Sequence, residues 1–90
     1  MEPLILVVDD ERTIRAFLKL SIETQGYKCI DTDNGASALM LAVSRNLDVL
    51  VLDLGLPDMD GIDVIKKLRI VSQVPVIVIS ARGHEREKVE

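Results

Sequence analysis

Asp9, Asp10 and Asp53 are the residues of this 90-residue chain whose types and placement point to chemistry. The first two close the apolar run of "LILVVDDE", and the third closes that of "VLVLDLGLPDMDG". A carboxylate beside an apolar run is costly unless something cationic meets it, so Asp53 either caps a turn or takes part in a reaction. Taken singly, Asp9, Asp10 and Glu11 could simply complement the positive end of the helix that follows them. Their coincidence with Asp53 at a neighbouring strand end has no such explanation. Three carboxylates gathered at the ~4.8 Å spacing of adjacent strands repel, and at least one protonates unless a cation enters. A hard divalent ion with oxygen ligands fits, and Mg²⁺ in particular takes one or two carboxylates, keeps waters and leaves places for phosphate oxygens.

An aspartate beside Mg²⁺ can also be a nucleophile, as in aspartyl-phosphate chemistry. Phosphoryl transfer asks for alignment and charge neutralisation more than covalent help. The turn at Gly55 suits it by aiming a backbone carbonyl at the metal. Ser80 closes a third apolar run, "PVIVIS", and its hydroxyl could donate to a phosphoryl oxygen, although alone it reads as a turn cap. Small Ala81 leaves space and an N–H for another oxygen.

The elements that must position these residues follow from periodicity. The continuous apolar runs at 4–9, 48–53 and 75–80 predict strands covered on both faces, with Pro75 at a start where its missing donor is tolerated. "KCIDT" (28–32) is half-polar and suits a sheet edge. Between them, Ile14, Phe17, Leu18 and Ile22 fall on one helical face, ended by Gly26 where a residue free at positive φ is wanted. Ala36, Leu39, Met40 and Val43 mark a second helix, and Ile62, Ile65 and Leu68 a third, with Lys66, Lys67 and Arg69 on its outer face and last turns. Asp60 can cap that third helix through Ile62 or Asp63, while Met59 and Val64 have hydrophobic-staple spacing. "HEREKVE" starts a further charged helix whose His84 reads as an exposed first-turn residue. Alternation of this kind implies right-handed crossovers and an α/β, flavodoxin-like, doubly wound parallel sheet of order 2-1-3-4, a fifth strand being absent. Ligands in such sheets bind beyond the carboxyl ends of the strands where the order reverses, here between 4–9 and 48–53.

Composition narrows the function. The chain is 48% hydrophobic and 29% charged, a globular balance, and its length allows one small domain. A net charge of −4 gives no basic face, and two aromatics give no stacking platform, so direct nucleic-acid contact is not expected. Cys29 is the single cysteine, reads as a small buried hydrophobe and suits a reducing cytosol. Neither a signal peptide nor a membrane span is visible, which predicts a cytoplasmic protein without membrane contact.

Together, "LVVDDE", "VLDLGLPDMDG" and "PVIVISA" resemble the receiver domain of bacterial two-component response regulators, over residue 4 to about residue 90 and four of that family's five strands. "DLGLPDMDG" is most similar to the branch with winged-helix DNA-binding output domains, and within it to the potassium-transport regulators. The resemblance implies a CheY-like fold and a phosphorelay role, Asp53 being the phosphoacceptor for a phosphoryl group from a sensor histidine kinase. It also implies Mg²⁺ held directly by Asp10 and Asp53, through water by Asp9, and by the Gly55 carbonyl. Ser80 would contact the acyl phosphate and act as the switch, with the Ala81 N–H on the phosphoryl group. Self-phosphorylation, rather than turnover, is then expected. The family's lysine follows the fifth strand and has no obvious counterpart in Lys66, Lys67 or Lys88, which counts against efficient phosphorylation.

Three further expectations complete the reading. Residues 1–90 form one receiver domain truncated before its fifth strand and last helix, with no output domain. The naked edge of the 75–80 strand invites a homodimer or a swapped oligomer. The competing functions are a Mg²⁺-dependent phosphatase with an aspartate nucleophile, as in haloacid-dehalogenase-like enzymes, or an inactive self-associating fragment. The phosphatases want an Asp-x-Asp pair, whereas the acids here are adjacent.

Overall fold

The computed structural model describes residues 2–79. Ser80, Ala81, His84 and Lys88 lie outside the described residues, so the expectations attached to them have no structural counterpart below.

Strand β1 (Leu4–Val8) leads through helix α1 (Arg12–Thr24) to β2 (Lys28–Thr32), then α2 (Gly35–Ser44), β3 (Val49–Asp53), α3 (Gly61–Val71) and β4 (Val76–Ile79). The four strands are parallel and ordered β2-β1-β3-β4, as the apolar and half-polar runs predict. Gly26 has φ 93°, which lets the chain leave α1 in the left-handed region. Cys29 is buried on β2 as a free thiol, and burial pushes it above its ordinary value.

Side-chain alternation along the strands divides the interior into two layers. Leu6, Val8, Leu50 and Leu52 face α2 and α3 and pack with Ala38, Val64, Leu68 and Val74. Ile5, Val7 and Val51 face the other way and pack with Cys29 and with Leu18 and Ile22 of α1. Asp9 and Asp53 continue this second row. Val8 pairs with Leu52, so each aspartate follows one residue later on adjacent strands.

The helix faces differ from the sequence pattern at several places. Phe17, expected inward, is 67% exposed. Helix α1 sits over β1 and β2, so Leu18 and Ile22 meet the sheet while Phe17, about 100° round the helix from Leu18, falls beside it. On α2, Met40 and Val43 are exposed, as is Ala36. That helix packs against α3 as well as the sheet, which turns Gly35 and Ala38 inward with Leu39, Leu41 and Ala42 beside them. On α3, Ile62 is 46% exposed and Val64 takes the buried place beside Leu68. Strand β4, expected to be covered on both faces, is the sheet edge among the described residues, with Ile77 and Val78 about half exposed.

Candidate phosphoacceptor and metal site

The carboxyl ends of β1 and β3 bring Asp9, Asp10 and Asp53 together, with one oxygen from each lying within 4.8 Å of the others. Asp9 and Asp53 are almost wholly buried, at 2% and 5% exposed, and Asp10 is half-buried. Each buried carboxylate has a local backbone donor. The Glu11 N–H donates to Asp9 Oδ1 (2.8 Å), and the Gly55 N–H donates to Asp53 Oδ1 (3.2 Å). Glu11 itself provides no side-chain cap for α1, so part of the first turn's need for an acceptor falls on Asp9.

Burial pushes the Asp9 carboxyl above its ordinary value. The bond from Glu11 pulls it back, and the charges of Asp53, Asp10 and Glu11 add to the push. Among the described residues neither Asp9 nor Asp53 forms an ion pair. Three hard oxygen donors, two of them desolvated and mutually repelling, fit a divalent cation of the Mg²⁺ kind. This donor set is an acidic cluster built by the fold, not decoration of one helix start.

The frame around the cluster comes from residues other than the three acids. Arg15 Nη1 donates to the Asp9 carbonyl (2.8 Å) while its Nε pairs with Asp31 Oδ2 (2.7 Å), tying α1 and β2 to the end of β1. Lys19 adds a looser contact to Asp31 at 3.7 Å. The segment after Asp53 is gathered back by the Gly61 N–H, which donates to the Leu54 carbonyl (3.1 Å). A Cβ on Gly61 would meet Leu54 Cα at 2.6 Å, so only glycine allows that approach. Asp60 caps α3 by accepting from the Ile62 N–H (2.9 Å), one of the two donors anticipated. Asp58 accepts from the Gly35 N–H (2.8 Å) and the Ala36 N–H (2.9 Å) at the start of α2. No local pattern announces Arg15 or Asp58, because their partners are distant in sequence.

Residues 5–90 match the response regulator receiver domain model. The chain is 45% identical over 85 residues to the KDP operon transcriptional regulatory protein KdpE of Escherichia coli, covering 94% of this chain and 38% of that protein. It is 47% identical over 87 residues to the transcriptional regulatory protein KdpE of Mycobacterium tuberculosis, covering 97% of this chain and 38% of the relative. This chain therefore spans well under half the length of these curated relatives. Among solved structures, the response regulator TrrA of Thermotoga maritima in complex with Mg(2+)-BeF superposes with a TM-score of 0.85 at 34% identity, over 97% of this chain and 76% of TrrA. TrrA in complex with the histidine kinase ThkA matches with a TM-score of 0.84 at 35% identity, over 93% of this chain and 73% of that one. With its sheet order, its strand-end aspartates and these similarities all in agreement, the chain belongs to the response regulator receiver domain family.

Proposed function

We propose that this chain is the phosphoacceptor module of a two-component response regulator and that Asp53 receives the phosphoryl group. The observation that carries the reading is the meeting of Asp9, Asp10 and Asp53 within 4.8 Å at the rim where the strand order reverses. TrrA, a relative in fold and sequence, has been solved both with Mg(2+)-BeF and with a histidine kinase, which supports a metal and a kinase as partners here.

In this reading Asp10 and Asp53 would hold Mg²⁺ directly, Asp9 would hold it through water, and Gly55 would offer its carbonyl. When bound, the cation neutralises the carboxylates and the charge gathering on the phosphoryl oxygens. An Asp53 oxygen attacks the phosphorus of a kinase phosphohistidine. The new P–O bond forms as the P–N bond breaks, and the departing electron pair and a proton go to the imidazole nitrogen. The Gly55 N–H, already on Asp53 Oδ1, orients the nucleophile. Ser80 and Ala81 complete the reading as phosphoryl contacts and lie outside the described residues.

The relatives are named as transcriptional regulatory proteins and are much longer than this chain. Residues 1–90 are accordingly read as one receiver domain, with control of transcription belonging to an output domain beyond them. No helix among the described residues is long and apolar enough to cross a membrane, which is compatible with a cytoplasmic role. Ile77 and Val78 of β4, about half exposed among the described residues, support self-association through that strand. Sizing at several concentrations tests this point, and a strict monomer removes it.

Incubation with a small phosphodonor and Mg²⁺ tests the function. One base-labile phosphoryl group per chain is expected, lost in Asp53→Asn. Repeated turnover of phosphate esters would overturn the receiver reading in favour of a phosphatase.

A further inference from the structure

We infer that Asp58, an exposed acid on the β3–α3 segment, is a positioning residue for the acidic site; the inference rests on the metal-binding reading above. Its two oxygens take the first two N–H groups of α2, from Gly35 at 2.8 Å and Ala36 at 2.9 Å. The next N–H, of Ser37, goes to the Asn34 side chain at 2.8 Å, and that of Ala38 to the Asn34 carbonyl at 3.2 Å. Asn34 thus caps the helix, and Asp58 supplies from another element the acceptors that a local cap does not reach.

The consequence is a closed ring around the carboxylate pair. Asp53 runs into the 54–57 turn, whose Pro57 has a preset φ, and the turn ends on Asp58. Asp58 is fastened to the start of α2, which follows directly from β2. The last residue of β2, Thr32, accepts from the Asp9 N–H at 3.2 Å. Asp9 and Asp53 are therefore joined through the sheet on one side and through Asp58, α2 and Thr32 on the other. Below the clamp, Met59 lies against Gly35 so closely that a Cβ there would meet its Cγ at 2.6 Å. The bidentate contact holds the segment carrying Gly55 in one place relative to Asp9, and releasing it gives the carboxylates a wider range of separations. A cation that needs them at fixed spacing then binds less tightly.

The test measures Mg²⁺ binding by calorimetry in the wild type, Asp58→Ala and Asp58→Asn, with amide hydrogen exchange followed at Gly35 and Ala36. Asp58→Ala should bind Mg²⁺ roughly tenfold more weakly, the low end for partners that orient metal ligands. Asp58→Asn keeps one acceptor oxygen and should fall between. By reciprocity, saturating Mg²⁺ should slow exchange at Gly35 and Ala36 in the wild type, which simple helix capping would not produce. If wild type binds Mg²⁺ while Asp58→Ala stays folded and binds it equally, the clamp is overturned and the metal reading stands. If wild type does not bind Mg²⁺ at all, both fall. Should Asp58→Ala fail to fold, the wild-type exchange response decides, and its absence overturns the clamp.

Discussion

Met59 packs beneath Gly35 with no room for a single carbon between them: a Cβ on Gly35 would meet Met59 Cγ at 2.6 Å, Met59 Sδ at 2.9 Å and Val64 Cγ2 at 2.9 Å. The contact joins the segment after β3 to the start of α2. Gly35→Ala should therefore destabilise the protein by about 1–3 kcal/mol in denaturant unfolding. Met59→Ala in the same chain should recover part of that loss, because two of the three obstructing atoms belong to the flexible Met59 side chain and only one to Val64. Gly61→Ala should cost more than Gly35→Ala, since the atom it meets is the Leu54 backbone, 2.6 Å away and unable to yield. Equal costs would show that both sites relax.

Arg15 carries two bonds, a partly buried one to the Asp9 carbonyl and an exposed one to Asp31. Arg15→Ala is expected to cost about 1–2 kcal/mol, from the lost bonds and the carbonyl left unsatisfied. Arg15→Lys should recover less than half, because an ammonium does not reproduce the two-directional reach of the guanidinium. Chemical denaturation of the three proteins measures this. A loss below the resolution of the assay would mean that water replaces both contacts.

Repulsion within the cluster predicts opposite responses with and without metal. Asp53→Asn removes one buried charge and keeps a carbonyl oxygen for the Gly55 N–H. Without divalent ions it should raise stability by on the order of 1 kcal/mol. Wild type should gain about 2.7 kcal/mol at Mg²⁺ a hundredfold above its dissociation constant, and Asp53→Asn much less. Thermal melts with EDTA and with excess Mg²⁺ give both numbers. A variant that gains as much as wild type sinks the shared-metal geometry.

The N–H groups of Gly35, and then Ala36, hold the Asp58 carboxyl below its ordinary value. Its folded value is thus below the unfolded one of ~3.9. The unfolded chain binds the proton more readily, so this contribution to stability is present above pH ~4 and is lost as pH falls through the folded value. The stability difference between wild type and Asp58→Asn should be flat from pH 7 to about 5 and narrow below about 4. Urea titrations across that range check it, and a gap that widens on acidification contradicts the assignment.

Much of this protein is legible in the linear text because strand burial is written in runs. Leu4–Val8 and Val49–Asp53 are apolar enough to demand cover on both faces, Lys28–Thr32 is polar enough to demand an edge, and those constraints order the sheet. The meeting of the three acids was legible for the same reason. Asp9, Asp10 and Asp53 stand where strands end, and parallel strands end on one side.

Only the tertiary structure decided which helical residues are covered and what frames the acids. Helical spacing marks a face but not its neighbours. Phe17, Met40, Val43 and Ile62 are exposed because the packing against sheet and helix is narrower than the apolar stripe, and Val64 takes the place that spacing assigned to Ile62. Asp58 reads as one more acid in a polar turn until α2 is brought against it, and Gly35 as an ordinary glycine until Met59 lies beneath it. Periodicity reports local burial, whereas such contacts join residues far apart in the chain, and only folding makes them neighbours.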